Sequence, residues 1–297
     1  MSQTDVLFIT LDSCRYDTFR SCLNDSSLPN IGSISPLHKA QAPSYYTYGS
    51  HSSFWMGFTP GVASSTDPFL NPKAGKLFRM SFSGHASSDT DDCYRLQGSN
   101  IVEGFRNLGY NTIGSGAVDW FNTSTDTGRN LTSPFDHFFF SGNTWSLQTQ
   151  LTWINNQLLN TPIDQPRFVF LNVGETHVPY WHEGAQWDRW PSPCFPFGGD
   201  KCDAAESSRR QRLCLQWVDN QLSDLISRFF DSTILVCADH GDCWGEDGLW
   251  EHGISHSCTL TVPLLLRVRG RPISASTVPP SESREIFRRF NPKFLRK

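Results

Sequence analysis

The stretch that most constrains this chain is Thr233-Ile234-Leu235-Val236-Cys237-Ala238, a largely apolar run that stops abruptly at Asp239-His240-Gly241-Asp242. Six such residues without alternation describe a buried strand, and in open α/β sheets functional side chains collect just beyond the carboxyl ends of strands. Asp239 and His240 occupy that place. A carboxylate beside an imidazole suits a divalent ion such as Zn, Mn, Fe or Mg, and Gly241 is expected to let the backbone turn away. The plainer account of the dipeptide is a capping aspartate followed by a surface histidine.

The pattern recurs twice. The run from Val6 to Leu11 is a buried first strand that delivers Asp12-Ser13-Cys14-Arg15-Tyr16-Asp17, and Arg167 to Val173 is another that delivers Gly174-Glu175-Thr176-His177-Val178-Pro179-Tyr180. Alone, Asp12 reads as a helix cap; with Asp239 and His240 at the same sheet edge it reads as a ligand. Arg15 and Asp17 form a local ion pair shaping the turn, or Arg15 faces an anion. Glu175 reads equally as ligand or structural residue.

Between these runs, residues 101–108 have helical periodicity ending at Gly109, 111–114 form a strand, and 145–159 and 207–230 form helices, the second strongly amphipathic. Segment 24–46, rich in Ser, Pro and Asn, is expected as loop with short helical turns, and 57–98 as loop. In the latter, Asp89, Asp91 and Asp92 near His85 lack the spacing of a calcium loop and read as solvated surface. The aromatic run 135–140 belongs to a core. The expected fold is therefore α/β, a largely parallel central sheet flanked by helices in a single compact domain spanning residues 1–268. Segment 181–203, polar, aromatic and rich in Pro and Gly, is expected as a lid or specificity loop following an active-site strand. A basic, solvated tail follows at 269–297.

Composition removes several alternatives. A chain of 297 residues, 38% hydrophobic and 18% charged, can bury a substantial core. Its formal net charge of -4 argues against nucleic acid as the main partner. No apolar run approaches the ~20 residues a membrane helix needs, and the amino-terminal run is too short for a secretory signal, so the expected compartment is cytoplasmic. The nine cysteines are odd in number and contain no C-x-x-C pair, which indicates neither a thiolate zinc site nor a full disulfide framework.

Further motifs carry a resemblance. After Gly241 come Trp244-Gly245-Glu246-Asp247-Gly248-Leu249-Trp250-Glu251-His252-Gly253 and then Thr261-Val262-Pro263-Leu264. This order resembles the carboxyl-terminal half of the sulfatase and alkaline-phosphatase-like metalloenzymes, and Asp12 in a D-S-x-R-x-D context is similar to their first metal carboxylate. Thr47-Tyr48-Gly49-Ser50-His51-Ser52 resembles their nucleophile segment T-x-P-S-H-x-S, with Gly49 in place of proline. His177, in H-x-P-Y, looks like their substrate or metal histidine.

The resemblance implies one ion held by Asp12, Asp239, His240 and the Thr47 oxygen, and a second, weaker ion or the transferring group bound by His177 and His252, perhaps with Glu175. It implies a Thr47 nucleophile activated by the metal at a helix amino terminus. His51 either hydrogen-bonds substrate, orients the loop or simply packs. Sulfatases of this superfamily oxidise a Cys or Ser to formylglycine, which Thr cannot become, so sulfate esters are disfavoured. The expectation is a metal-dependent hydrolase or transferase (Zn, Mn or Mg, one or two ions) acting on a small-molecule phosphate or phosphonate ester. The competing reading is a metal-binding protein without turnover. Oligomeric state is not legible from the sequence.

Overall fold

The computed structural model describes residues 4–57 and 100–274. The group around His85, Asp89, Asp91 and Asp92, and the basic segment 275–297, lie outside the described residues.

The three apolar runs form adjacent parallel strands at the centre of one sheet. Strand β1 (Val6–Leu11) pairs with β5 (Arg167–Val173) on one side and with β6 (Thr233–Ala238) on the other. β3 (Asn111–Gly116) and β4 (His137–Phe140) extend the parallel part beyond β5. On the far side, β9 (Thr261–Val268) runs antiparallel to β6 and carries β2 (His38–Gln41) and β10 (Arg271–Pro272), giving an eight-stranded sheet. A small hairpin of β7 (Cys243–Trp244) and β8 (Trp250–Glu251) stands apart.

The register sets the level at which the strands stop. Leu11 faces Val173 in one neighbour and Ala238 in the other, so the next residue along each strand, Asp12, Gly174 and Asp239, falls at one edge. Two carboxylates far apart in sequence are thereby brought together by backbone pairing alone.

Helices cover the sheet: α1 (Tyr16–Asn24), α2 (Thr47–Met56), α3 (Ile101–Asn107), α4 (Asp126–Thr132), α5 (Leu147–Asn160), α6 (Ala204–Gln221), α7 (Ser223–Arg228) and the single turn α8 (Ser257–Leu260). The expected long helix at 207–230 is two, parted at Leu222. The expected loop at 24–46 contains β2, and the expected tail begins as β10. Segment 181–203 has neither helix nor strand.

An aromatic core anchors α2. Phe170 lies edge-on to Trp55 with ring centroids 4.9 Å apart, and Phe8 packs edge-on against Phe54 at 5.5 Å. Burying each such ring is worth about 2–3 kcal/mol. The carboxyl-terminal turn of α2 is thus held rigidly, which fixes where its first residue, Thr47, can point.

Candidate active site

Thr47 opens α2 against the carboxyl ends of the central strands. Its Oγ1 lies 3.4 and 3.5 Å from the two carboxylate oxygens of Asp12 and 3.3 Å from His240 Nε2. His240 Nε2 is in turn 3.7 Å from Asp12 and 3.6 Å from Asp239 Oδ2. All four residues are fully buried. Asp12 does not cap α1, whose amino-terminal flank is Arg15, so the capping account of Asp12 fails.

Several hydrogen bonds hold this group. Ser13, at φ 58°, turns its N–H onto Asp239 Oδ1, and Asn172 Nδ2 donates to Asp12 Oδ2 at 3.2 Å. Left-handed backbone at a serine is costly and persists where surrounding structure enforces it. Ser50 Oγ donates to the Asp239 carbonyl at 2.7 Å, tying α2 to β6. Gly49 has no room for a side chain: a Cβ would fall 2.5 Å from Ser44 Oγ. Gly241 is required for space rather than for a left-handed turn, because its Cβ would lie 2.2 Å from the Cys258 carbonyl.

The arrangement fits a cation. Asp239 Oδ2 is buried without a hydrogen-bond partner, and burial first, then the neighbouring Asp12, pushes the Asp239 carboxyl well above its usual range. Two buried carboxylates that repel one another, with an oxygen unsatisfied, are stabilised by a shared positive charge. His240 Nδ1 lies 3.1 Å from the Gly241 carbonyl, which only accepts, so the proton sits on Nδ1 and Nε2 offers a lone pair towards Asp12, Asp239 and Thr47. Burial, then His252, lowers the His240 pKa to about 3, which keeps that lone pair free.

A second bank of imidazoles faces this cluster. The His252 ring is 4.5 Å from that of His240 and 5.1 Å from that of His177, centroid to centroid. His177 Nδ1 is spent on the Val178 carbonyl at 2.7 Å, again leaving Nε2 free. Asp242, to which the sequence reading gave no role, lies 2.7 Å from His252 Nδ1 and accepts the Tyr180 hydroxyl at 2.6 Å; Trp244 Nε1 donates to that same hydroxyl. Donor atoms of His240, Asp242 and His252 lie within 4.8 Å of one another, as do those of Asp12, Asp239 and His240. Both Asp242 oxygens are already engaged, so its part is to orient His252. Burial would lower the His252 pKa, but Asp242 outweighs it and brings it up to about 9. The signal for Asp242 was the second acid of D-H-G-D; its partner is legible only once the β7–β8 hairpin folds back.

Three expectations are corrected. Glu175 does not join the cluster: its Oε1 accepts the Leu147 N–H at 2.9 Å at the start of α5, and burial raises its pKa to about 7. Ser146, which flanks that helix, makes no side-chain cap, so Glu175 supplies the acceptor from the turn after β5. His51 does not face substrate. Its Nδ1 meets the Thr47 carbonyl at 2.8 Å, its Nε2 meets Thr10 Oγ1 at 3.0 Å, and its ring is walled by Phe54, Trp55, Phe121 and Phe170. It orients α2 on β1, and burial takes its pKa down to about 4. Arg15 commits four of its five N–H donors to Asp17, Glu246 and the Asp242 carbonyl, with its guanidinium 4.2 Å from the Trp244 ring centroid, so it shapes the turn rather than facing an anion.

Residues 4–279 match the Sulfatase family. The chain belongs to that family. No curated protein matches this sulfatase-family chain. Solved structures share its fold at low identity. The soluble domain of lipooligosaccharide phosphoethanolamine transferase A from Neisseria meningitidis superposes with a TM-score of 0.60 at 12% identity, over 91% of this chain and 78% of that one. The carboxyl-terminal periplasmic domain of EptC from Escherichia coli, in complex with Zn, gives 0.57 at 13%, over 91% and 74%. The lipoteichoic acid synthase LtaP from Listeria monocytogenes gives 0.52 at 12%, over 91% and 66%. The α/β fold with a mostly parallel central sheet is common to them. Among the described residues no helix is long and apolar enough to cross a membrane.

Proposed function

We propose that this protein is a metal-dependent hydrolase or transferase of phosphate or phosphonate esters with Thr47 as nucleophile. One observation carries the reading: the Thr47 hydroxyl opens a helix within 3.5 Å of Asp12 and 3.3 Å of His240, beside the unsatisfied Oδ2 of Asp239. Asp12, Asp239, His240 and Thr47 would hold a divalent ion such as Zn, Mn or Mg. When bound, that ion supplies charge compensation that favours the alkoxide form of a nearby hydroxyl.

The chain's own groups do the rest. Thr47 Oγ1 gives its proton to Asp12, 3.4 Å away, and attacks phosphorus; the ester P–O bond breaks, and the phosphoryl group rests on Thr47. Asp12 and His240 orient the hydroxyl, while His252 and His177 face the opposite bank and hold the negative oxygens. His252, kept cationic by Asp242, gives its Nε2 proton to the leaving oxygen. A water or an acceptor alcohol then takes the phosphoryl group from Thr47, passing its proton to the now neutral His252 as the Thr47 O–P bond breaks and Asp12 returns the proton to Thr47. Transfer to an alcohol stands beside hydrolysis because solved relatives are named transferases and a synthase. Threonine at position 47 weighs against sulfate esters despite the family's name, since it cannot become formylglycine.

The test is a panel of p-nitrophenyl phosphate, bis-p-nitrophenyl phosphate and a phenylphosphonate ester, with metal analysis. Turnover is expected to disappear on chelation and to return with metal. Thr47→Ala is expected to lower kcat by about a thousandfold or more with metal content largely kept. Equal turnover in that variant removes Thr47 from the mechanism.

A further inference from the structure

The hydrogen bonds behind His252 form a chain whose direction is set at its far end. Trp244 Nε1–H can only donate, and it donates to the Tyr180 hydroxyl oxygen at 2.8 Å. The Tyr180 proton must therefore point elsewhere, and it meets Asp242 Oδ2 at 2.6 Å. A carboxylate only accepts, so the other oxygen, Oδ1, takes its 2.7 Å hydrogen bond from a proton on His252 Nδ1. One indole in the β7–β8 hairpin thus settles which ring nitrogen of His252 keeps its proton.

Tyr180 also joins this chain to the other histidine of the same bank. Its backbone N–H donates to the His177 carbonyl at 2.8 Å, and its own carbonyl accepts from Trp187 Nε1 at 3.1 Å. Every polar atom of the residue is engaged, it is wholly buried, and its backbone is left-handed at φ 57°. That conformation is costly for an aromatic residue and persists where the surroundings enforce it. Packing alone asks for no hydroxyl here, since phenylalanine would fill the same space.

We infer that Tyr180 is a positioning residue: with Trp244 behind it, it holds Asp242 so that His252 keeps its Nδ1 proton throughout turnover and exchanges only the one on Nε2. The inference rests on the proposed role of His252 as proton donor and deepens it. In the first half of the reaction the Nε2 proton goes to the leaving oxygen. The Nδ1 proton stays against Asp242, so the neutral ring presents Nε2 as the base that takes the proton of the incoming water or alcohol. A ring free to change tautomer would reach that step with its lone pair turned to Asp242.

Tyr180→Phe removes only the hydroxyl, and two measurements read its loss. In proton NMR spectra of the full chain, the wild type is expected to show a slowly exchanging imidazole N–H signal that disappears in His252→Gln. In Tyr180→Phe that proton is expected to exchange with solvent about tenfold faster or more. This readout needs no turnover, so failure of the proposed activity and failure of this role are told apart. On esters, phenyl phosphate needs protonation of its leaving oxygen far more than p-nitrophenyl phosphate does. Turnover in Tyr180→Phe is expected to fall about 10–100-fold for phenyl phosphate and less than about threefold for p-nitrophenyl phosphate, with metal content kept. Trp244→Phe, which leaves the hydroxyl but frees it to turn, should move both readouts the same way and by less. An N–H signal missing from the wild type or unchanged in Tyr180→Phe overturns the inference, as do two esters slowed by the same factor.

Discussion

The two banks of the site use the same residue types to opposite ends. On one side Asp12, Thr47, Asp239 and His240 are wholly buried, and their polar atoms face one another with one carboxylate oxygen unsatisfied. On the other, His177 and His252 are partly exposed, at 18% for the His252 side chain, and each has one ring nitrogen already committed to the protein. The first bank is incomplete without positive charge, whereas the second is complete and offers it. On the proposed function, an ester phosphate between them would meet a nucleophile on one side and cationic or hydrogen-bonding rings on the other.

The sharpest way to break this comparison is Asp239→Asn. The substitution removes one of two repelling buried carboxylates, so metal content is expected to fall to near zero and turnover by about a thousandfold or more. In chelator the order of stability inverts, and the variant is expected to melt above the wild type because a buried, unpaired charge has gone. Melting curves with metal and with EDTA read both effects. A variant that binds metal normally would show that the first bank is not the cation site.

Asp242→Asn sharpens the other side. Asparagine can still accept from His252 but brings no charge, and loss of such an outer carboxylate typically costs about 10–100-fold. Metal content should stay at the wild-type level. With Asp242 outweighing burial to hold His252 near 9, the basic limb of the kcat–pH profile should move to lower pH in the variant. An unshifted basic limb would dismiss His252 as the proton donor.

The contrast also explains what the sequence could reveal. β1, β5 and β6 were legible because a strand buried on both faces is an unbroken apolar run, and the polar groups at their ends, Asp12 and Asp239 among them, were legible because they follow at once. β2 was not, since His38-Lys39-Ala40-Gln41 alternates between half-buried and exposed residues, pairs only with β9 and looks like loop. The break at Leu222 was hidden because that residue keeps helical angles and neither Gly nor Pro marks it. The first bank could be read from strand ends, whereas the second depends on a hairpin that brings back His252 ten residues after Asp242. His51 and Glu175 were misassigned for a common reason. A polar side chain beside a catalytic position looks functional until its partner is seen, and here the partners, the Thr47 carbonyl and the Leu147 N–H, are backbone groups with no sequence signature.

Glu175 gives the smallest and most specific expectation, because it sits at the same sheet edge as Asp12 and Asp239 yet works as a remote helix cap. Burial raises its pKa from an ordinary 4.5 to about 7. Below pH ~4.5 the carboxyl is protonated in both folded and unfolded chains, and no penalty arises. As pH rises, the unfolded chain releases its proton first, so stability falls from there until the folded group also ionises near pH 7. The full penalty is about 3 kcal/mol at ~1.4 kcal/mol per pH unit. Glu175→Gln keeps an acceptor for the Leu147 N–H but cannot ionise, so it should lack this slope. Its Tm relative to wild type is expected to be level or lower at pH 4.5 and higher at pH 8, by roughly 5 °C. A difference that stays constant across that range would mean the Glu175 carboxyl titrates as an exposed acid and that its unpartnered Oε2 finds solvent.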